Sequence, residues 1–372
     1  MLKPSEVAEL SASRLLNSGP INLSEVERLV LAVSGGSDST ALLHLAHDYW
    51  VHELGRDVAE FCAVTVNHGV RPEALAEAKE VARQCAALGV IHHHVGWDGR
   101  AVTSGFLQAA RLARYEKLSA VAKSFGRAVV ATGHTFDDQL ETLTMRAERR
   151  ADGPGMAGIA PATLFERETW FVRPLLHVHR RSLRAELSER GIGWFDDPSN
   201  FDEKFERVRV RRAGFDDPTA HAQTATVEAS KRVDDAQQAA LWIKEHVGVS
   251  KAATGAYAAC VTVEGLSKDA VLLGMSFLCM LIGMQSERPN MDKVRRALET
   301  CGQRNGASFT LAGCQLRRVS DHIHLEPEPR NGRQTGFAFD HLLPIWEYPV
   351  LRAIDGLRDQ GSVPVPRFGR FH

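Results

Sequence analysis

Apolar and polar positions in the first half of the chain alternate in blocks. Leu29–Val33 is a short apolar run, and Phe61–Val66, Val90–Val95 and Ala128–Thr132 are three more. Between them lie stretches with helical periodicity, about Ser39–Trp50, Pro72–Leu88, Leu107–Phe125 and Asp137–Arg149, two of which stop at Gly89 and Gly126. Short, continuously apolar strands separated by helices predict an α/β fold, a doubly wound parallel sheet covered on both faces. Ligands of such sheets bind beyond the carboxyl ends of the strands. Ser34–Ser39 and Gly133–Glu141 both follow strands at that end, so the pattern expects them on one rim.

The second half reads differently. Gly153–Pro161 is loop-like, Trp170–Leu175 reads as a strand, and Arg180–Arg190 as a basic helix ended by Gly191. A long polar, Ala-rich helix is expected over Ala220–His246, with two more near Lys268–Met284 and Asn290–Cys301. Ser308–Leu311 and Gln315–Leu325 alternate as a hairpin would, with Ala312-Gly313 as the turn. The expected division is an α/β domain over residues 1–215, a smaller, mainly helical domain over 216–330 ending in the hairpin, and a tail over 331–372 for which the pattern predicts no structure.

Bulk properties narrow the class only a little. With 372 residues the chain can hold two or three domains, and 44% hydrophobic with 24% charged residues is ordinary for a soluble globular protein. No apolar run approaches the roughly 18 residues of a membrane span, and Ala270–Met284 is better read as a buried helix. The N-terminus MLKPSEVAELSAS lacks the basic start and apolar centre of a signal peptide, so a cytoplasmic location is expected. Six scattered cysteines with no C-x-x-C pair argue against a zinc ribbon, a disulfide framework or an iron–sulfur site. A net charge of −1 neither marks nor excludes a nucleic-acid binder, because local patches set that footprint. His92-His93-His94 lies in a predicted strand, where neighbours face opposite sides, so the three do not form one metal site.

Chemistry enters at Ser34-Gly35-Gly36-Ser37-Asp38-Ser39. A glycine-rich turn from a strand into a helix offers backbone N–H groups and a helix dipole to an anion. Three serines add hydroxyls, and Asp38 adds a carboxylate. Beside a phosphate that carboxylate would repel unless a divalent cation such as Mg²⁺ lay between them. No lysine follows the glycines, which excludes the Walker pattern, and the spacing excludes the Rossmann fingerprint. The SGGxDS stretch after a short strand resembles the PP-loop, or N-type, ATP pyrophosphatases. That resemblance implies a loop holding the pyrophosphate part of ATP, and cleavage between the α and β phosphates with adenylation of a carbonyl-type oxygen.

Further stretches narrow the resemblance. These are Val66-Asn67-His68-Gly69-Val70-Arg71-Pro72-Glu73, Gln108–Tyr115, Gly133-His134-Thr135-Phe136-Asp137-Asp138-Gln139-Leu140-Glu141-Thr142 and Trp194-Phe195-Asp196-Asp197-Pro198-Ser199-Asn200. Together they look like the tRNA(Ile)-lysidine synthetase family, closely over Leu29–Arg212 and more weakly through the hairpin. Members use ATP and free L-lysine to turn the wobble cytidine of a CAU-anticodon tRNA(Ile) into lysidine. The resemblance then implies ATP contacts at Ser34, Gly35, Gly36, Ser37, Asp38, Ser39, Val66, His68, Gly133 and His134. It implies catalytic roles for Asp38, Asp138, Glu141, Arg111 and Arg114, with Mg²⁺ on Asp38 and Asp138; a homodimer is allowed for. Asp138 and Glu141 are three apart and share a helix face. They also have the spacing of a capping box with Asp138 as N-cap, an alternative the sequence leaves open.

Candidate tRNA contacts are Arg146, Arg149, Arg181, Asn200, Arg207 and Arg209, drawn from three basic patches and the family's DP[ST]N…R.R pattern. The family's R-G-S-G is altered here to Arg150-Ala151-Asp152-Gly153, while the later glycines of Gly155-Met156-Ala157-Gly158 remain. A tRNA thiolase would need paired cysteines, which are absent. An amidotransferase-type synthetase is disfavoured by the basic second half, and a nucleotide-binding module without catalysis by the retained acids. If the arginines meet phosphates, log affinity for RNA falls linearly with log salt, with a slope of about −0.9 or less per phosphate contacted. Filter binding across a salt series measures it, and a salt-independent affinity would remove these patches from RNA recognition.

Overall fold

The computed structural model describes residue 16 and residues 22–67, 74–98, 105–149, 153–196, 202–204, 206–215, 217–251, 257–262, 269–285, 288–328 and 342–357. Two compact units result, one built on residues up to Thr226 and one on Val227–Pro364.

The first unit follows the block pattern. Strand β1 (Leu29–Ala32) leads into helix α1 (Ser37–His47), continued by one π-helical stretch at Asp48–Glu53. Then come β2 (Phe61–Asn67), α2 (Ala74–Ala87), β3 (Ile91–Gly96), α3 (Phe106–Ser124), β4 (Val129–Thr132) and α4 (Phe136–Glu148). After these, β5 (Ala162–Phe165), β6 (Thr169–Val172), α5 (Arg180–Glu189) and α6 (Glu206–Ala213) complete the unit. The strands lie in the order β5-β6-β4-β1-β2-β3. All neighbours are parallel except the β5–β6 pair. Every residue of β4 is buried, as are the first three of β1, which is what a sheet covered on both faces requires.

Strand β5 escaped the sequence reading for a physical reason. Its hairpin with β6 turns through Glu166 and Arg167, both in the left-handed region at φ 46° and 59°. Tight hairpins usually announce that backbone with Asn or Gly, and neither is present here. Helix α6 was likewise read only as a run of charge, KFERVRVRR, although Val208 and Val210 within it are buried.

The second unit contains the expected helices. Helix α7 (Pro218–His246) runs into it, and α8 (Asp269–Ile282) and α9 (Met291–Gln303) follow. Helix α8 is buried from Ala270 to Ile282, apolar all round as a central helix is. Gly274 permits that packing, since a Cβ there would lie 2.9 Å from the Trp242 ring. The unit also carries more strand than its sequence pattern indicated. Strands β7 (Val247–Lys251), β8 (Tyr257–Thr262), β9 (Ser308–Leu311), β10 (Cys314–Val319) and β11 (His322–Pro327) form an antiparallel sheet in the order β7-β8-β11-β10-β9. The turn between β9 and β10 is at Ala312-Gly313, both at positive φ, and the expected long second arm breaks at Ser320 into two strands. Two short elements, β12 (Leu342–Pro344) and α10 (Tyr348–Leu357), occupy part of the segment given no structure above. Buried Glu347 is held there by Arg232 and Arg288.

In the first unit the order β3-β2-β1-β4 changes direction between β1 and β4, the topological switch point where such folds open a crevice. Register pairs Ala32 with Thr132, so the segments after both strands start side by side. Gly133 sits at that junction. A Cβ on it would lie 3.0 Å from the backbone C and O of Asp38 and 3.1 Å from Ser39 N, none of which is a yielding side-chain tip. Gly133→Ala is expected to cost about 1–3 kcal/mol through overpacking against fixed backbone. Urea unfolding monitored by circular dichroism measures this, and wild-type stability would show that the junction has slack.

Candidate active site

The loop between β1 and α1 is built by its own serines. Ser34 N donates to Ser39 Oγ at 3.1 Å, the two hydroxyls lie 3.1 Å apart, and Ser39 Oγ donates to Gly36 O at 3.1 Å. Gly35 takes φ 88°, a conformation that disfavours any side chain. A distant segment flanks this turn: Phe195 N donates to Gly35 O at 2.9 Å, and Phe195 forms a parallel bridge with Gly36. Trp194-Phe195-Asp196 therefore serves as a short strand laid against the loop, a role that spacing alone could not show.

Asp38 enters α1 at its first turn, and its neighbours come from far along the chain. Its Oδ1 accepts from Ser37 Oγ at 3.0 Å and its Oδ2 from Arg180 Nε at 2.7 Å. The same guanidinium lies 3.4 Å from Asp138 Oδ1 and 3.6 Å from Glu141 Oε1. Glu141 is wholly buried, and its Oε1 also accepts from Arg211 Nε at 2.8 Å. Its Oε2 is buried and has no hydrogen-bond partner among the described residues. Helix α5 brings Arg180 here because Asp137 Oδ2 on α4 accepts from Arg180 N at 2.8 Å and caps its first turn.

Charge follows from this packing. Burial pushes the Asp38 carboxyl up from its ordinary value, more than Arg180 pulls it down. Burial alone would lower Arg180, but Asp38, Asp138 and Glu141 outweigh it and raise its affinity for the proton. Burial also opposes the charge on Asp138, yet Arg180 and the bonds from Thr135 hold its carboxyl below the usual range. Thr135 N and Oγ1 donate to Asp138 Oδ2 at 2.8 and 2.9 Å. The capping box is thus Thr135 with Asp138, not Asp138 with Glu141 as the spacing allowed. Glu141 is left for the site.

A second group of charges centres on Tyr115. The Tyr115 hydroxyl accepts from Arg111 Nη2 at 3.3 Å and from buried Arg173 Nη2 at 3.2 Å. Burial would raise the Tyr115 phenol, but Arg173, Arg111 and Arg114 together lower it. Arg114 is lowered by burial, with Arg111, Arg173 and Arg207 adding repulsion. His134 Nδ1 bonds Thr132 Oγ1 at 2.9 Å, and burial with Arg173 keeps the ring well below its ordinary value, hence neutral.

One cavity of about 1020 Å³ joins these groups. Ser34, Gly36, Ser37, Asp38, Ser39, Val66, Gly133, His134, Arg111, Arg114, Asp138, Arg181 and Arg207 all line it, so most of the sequence-chosen residues meet in one place. His68 and Asn200 lie outside the described residues. Three of the arginines expected to meet phosphates also bond the chain itself. Arg146 donates to Gly155 O at 2.6 Å and Gly158 O at 3.1 Å, Arg149 pairs with Glu206, and Arg209 donates to Glu203 O at 2.7 Å. The altered stretch 150–152 also lies outside the described residues, while Gln139 Oε1 accepts from Ile159 N at 2.6 Å and secures the glycines that follow. Sequence reasoning missed Arg180, Arg211 and Phe195 as members of the site. All three fall in stretches the sequence singled out, two basic runs and one motif, but nothing local ties them to the acids, since Arg180 is 142 positions from Asp38.

Asp38 and Asp138, the pair expected around a metal, both line the cavity. Their hard carboxylate oxygens face one cavity and suit Mg²⁺ as a donor set. The space between them holds the Arg180 guanidinium, so metal and guanidinium call on the same oxygens.

Comparison with known proteins agrees with this geometry. The PP-loop domain family matches residues 5–216. The tRNA(Ile)-lysidine synthase of Hyphomonas neptunium is 36% identical over 307 residues, covering 80% of this chain and 81% of that protein. That of Mesorhizobium japonicum is 45% identical over 199 residues, covering 52% of this chain and 43% of that protein. That of Brucella anthropi is 39% identical over 245 residues, covering 63% and 52%. The chain belongs to the PP-loop family and, within it, to the tRNA(Ile)-lysidine synthase family. Its match spans about half the length of the Mesorhizobium and Brucella relatives. No helix of the described residues is long and apolar enough to cross a membrane.

Burial lowers His44 and His92 as well as His134 from the ordinary histidine value. The folded chain keeps these rings neutral, whereas the unfolded chain takes up protons near pH 6.5. Between the lowered folded values and about 6.5 the unfolded state binds more protons, so stability falls as pH drops through that window. Urea unfolding at pH 7.5 and 5.5 is expected to show the loss, and His92→Gln to reduce it. An unchanged midpoint would mean that the rings are charged in the fold.

Proposed function

We propose that this chain joins L-lysine to C2 of the wobble cytidine of a CAU-anticodon tRNA(Ile), using ATP. The observation that carries the reading is the convergence of Asp38, Asp138 and an arginine cluster on one cavity beside a serine-built anion loop. In the first step the cytidine C2 oxygen attacks the α-phosphorus of ATP and pyrophosphate leaves. In the second the lysine ε-amine attacks C2, its proton goes to a base, the C2–O bond breaks and AMP leaves.

Each group has a physical assignment. Loop amides and the α1 dipole face the departing pyrophosphate. Mg²⁺ bound to Asp38 and Asp138 would neutralise phosphate charge there. Arg111, Arg114 and Arg207 lie where a phosphate of the nucleotide or of the RNA backbone would find compensating charge. Lysine must lose a proton before attack, which at pH 7 costs roughly 4–5 kcal/mol from a free pKa near 10.4. Asp138 and Glu141 are the carboxylates available to bind the ammonium and accept that proton. Their division of labour follows from exposure: Asp138 lines the cavity, and Glu141 lies wholly buried behind Arg180.

The test supplies the chain with ATP, Mg²⁺, labelled lysine and CAU-anticodon tRNA(Ile). Label is expected in RNA only with both ATP and the wobble cytidine present. Asp38→Asn is expected to lower AMP formation at least about a hundredfold, in line with removal of one preorganised electrostatic group, while the circular dichroism spectrum is retained. Label absent from RNA while sulfur or ammonia is accepted would point to another PP-loop chemistry.

A further inference from the structure

Three carboxylates from two helices meet at a single guanidinium, and they hold it unevenly. Only Asp38 makes a hydrogen bond to Arg180, at 2.7 Å. Asp138 and Glu141 stand at 3.4 and 3.6 Å, near enough for charge but beyond a hydrogen bond of good geometry. The wholly buried Glu141 still has an oxygen, Oε2, with no donor. A buried acidic group left partly unsatisfied is costly, and the cost falls when a better-fitting cation arrives.

The site also has a route for exchange. The Arg180 side chain is 16% exposed and borders the cavity, so it can reach solvent without unfolding of α5. Its backbone stays pinned by Asp137 whatever the side chain does. A guanidinium is wide and planar, whereas Mg²⁺ and a primary ammonium are compact point charges that can sit among oxygens from three sides.

We propose that Arg180 is an exchangeable counter-cation, which occupies the Asp38–Asp138–Glu141 site in the resting chain and yields those oxygens when a small cation enters. The chemical class of that ligand is a compact cation, either the divalent metal or the lysine ammonium. This rests on the functional reading above only for naming the ammonium. Release without replacement would leave three acids uncompensated, so departure of Arg180 and entry of the ligand are coupled. The device keeps the acidic cluster folded while empty and makes cation binding weaker than the bare carboxylates would allow.

The experiment titrates the full chain with MgCl₂ by calorimetry at constant ionic strength, and separately with labelled L-lysine by equilibrium dialysis, without ATP or RNA. Arg180→Gln is expected to bind one of the two cations roughly tenfold to a hundredfold tighter than wild type, the scale on which one neighbouring charge shifts a carboxylate's affinity for a proton. Whichever titration strengthens identifies the source. The same variant is expected to melt lower than wild type without cation and to recover when that cation is added, which loss of a merely structural contact would not produce. If Arg180→Gln fails to fold, Arg180→Lys keeps the charge but cannot span three carboxylates, and it is expected to bind that cation more tightly than wild type. Equal or weaker binding of both cations in the folding variant overturns the proposal. Lysidine formation with unchanged cation binding would overturn this proposal alone, and altered binding without lysidine formation would overturn only the functional reading.

Discussion

Four residue pairs between β1 and β4 determine where everything else in the first unit can stand. Parallel pairing of Ala32 with Thr132 brings two chain segments, a hundred positions apart in sequence, out of the sheet side by side. The separation is so small that a Cβ at 133 would lie 3.0 Å from the backbone of Asp38. From that one contact follow the proximity of the serine loop to α4, the shared rim, and the placing of Asp38 near Asp138.

Bringing acids together creates the second constraint. Asp38, Asp138 and Glu141 are drawn out of water by the helices that carry them, and burial opposes the charge of the two aspartates. Arg180 and Arg211 answer that demand from α5 and α6. Elsewhere the balance is inverted, with Arg111, Arg114 and Arg173 gathered around Tyr115 near a neutral His134. A cavity lined by both carboxylates and guanidiniums suits a ligand set that is itself divided, anionic phosphates and a cationic amine.

Much of this was legible in the sequence where the signal is local. Apolar runs the length of one strand gave the parallel sheet, and SGGSDS gave the anion loop, because a strand-to-helix turn has few solutions and glycine marks them. The β5–β6 hairpin was not legible, since it turns on Glu166 and Arg167 instead of Asn or Gly. Helix α6 was hidden because a dense charge run masks the two buried valines that hold it. That Arg146 and Arg209 also bond the chain's own carbonyls was not legible, because a charge run does not show which partner each guanidinium meets.

What the sequence determined by itself was the fold class and the residues lining the rim, Asp38, Asp138, Arg111 and Arg114 among them. The fold class follows from periodicity, the loop around Asp38 from a motif whose geometry is set within a few residues, and Asp138, Arg111 and Arg114 from the family resemblance. Only the tertiary structure decided what each acid faces. It left Glu141 buried with one oxygen unpaired and put the Arg180 guanidinium beside Asp38, Asp138 and Glu141. The reason is distance along the chain: a helix cap is fixed by neighbours three residues apart, but the partner of a buried charge is whatever the packing of remote helices brings to it.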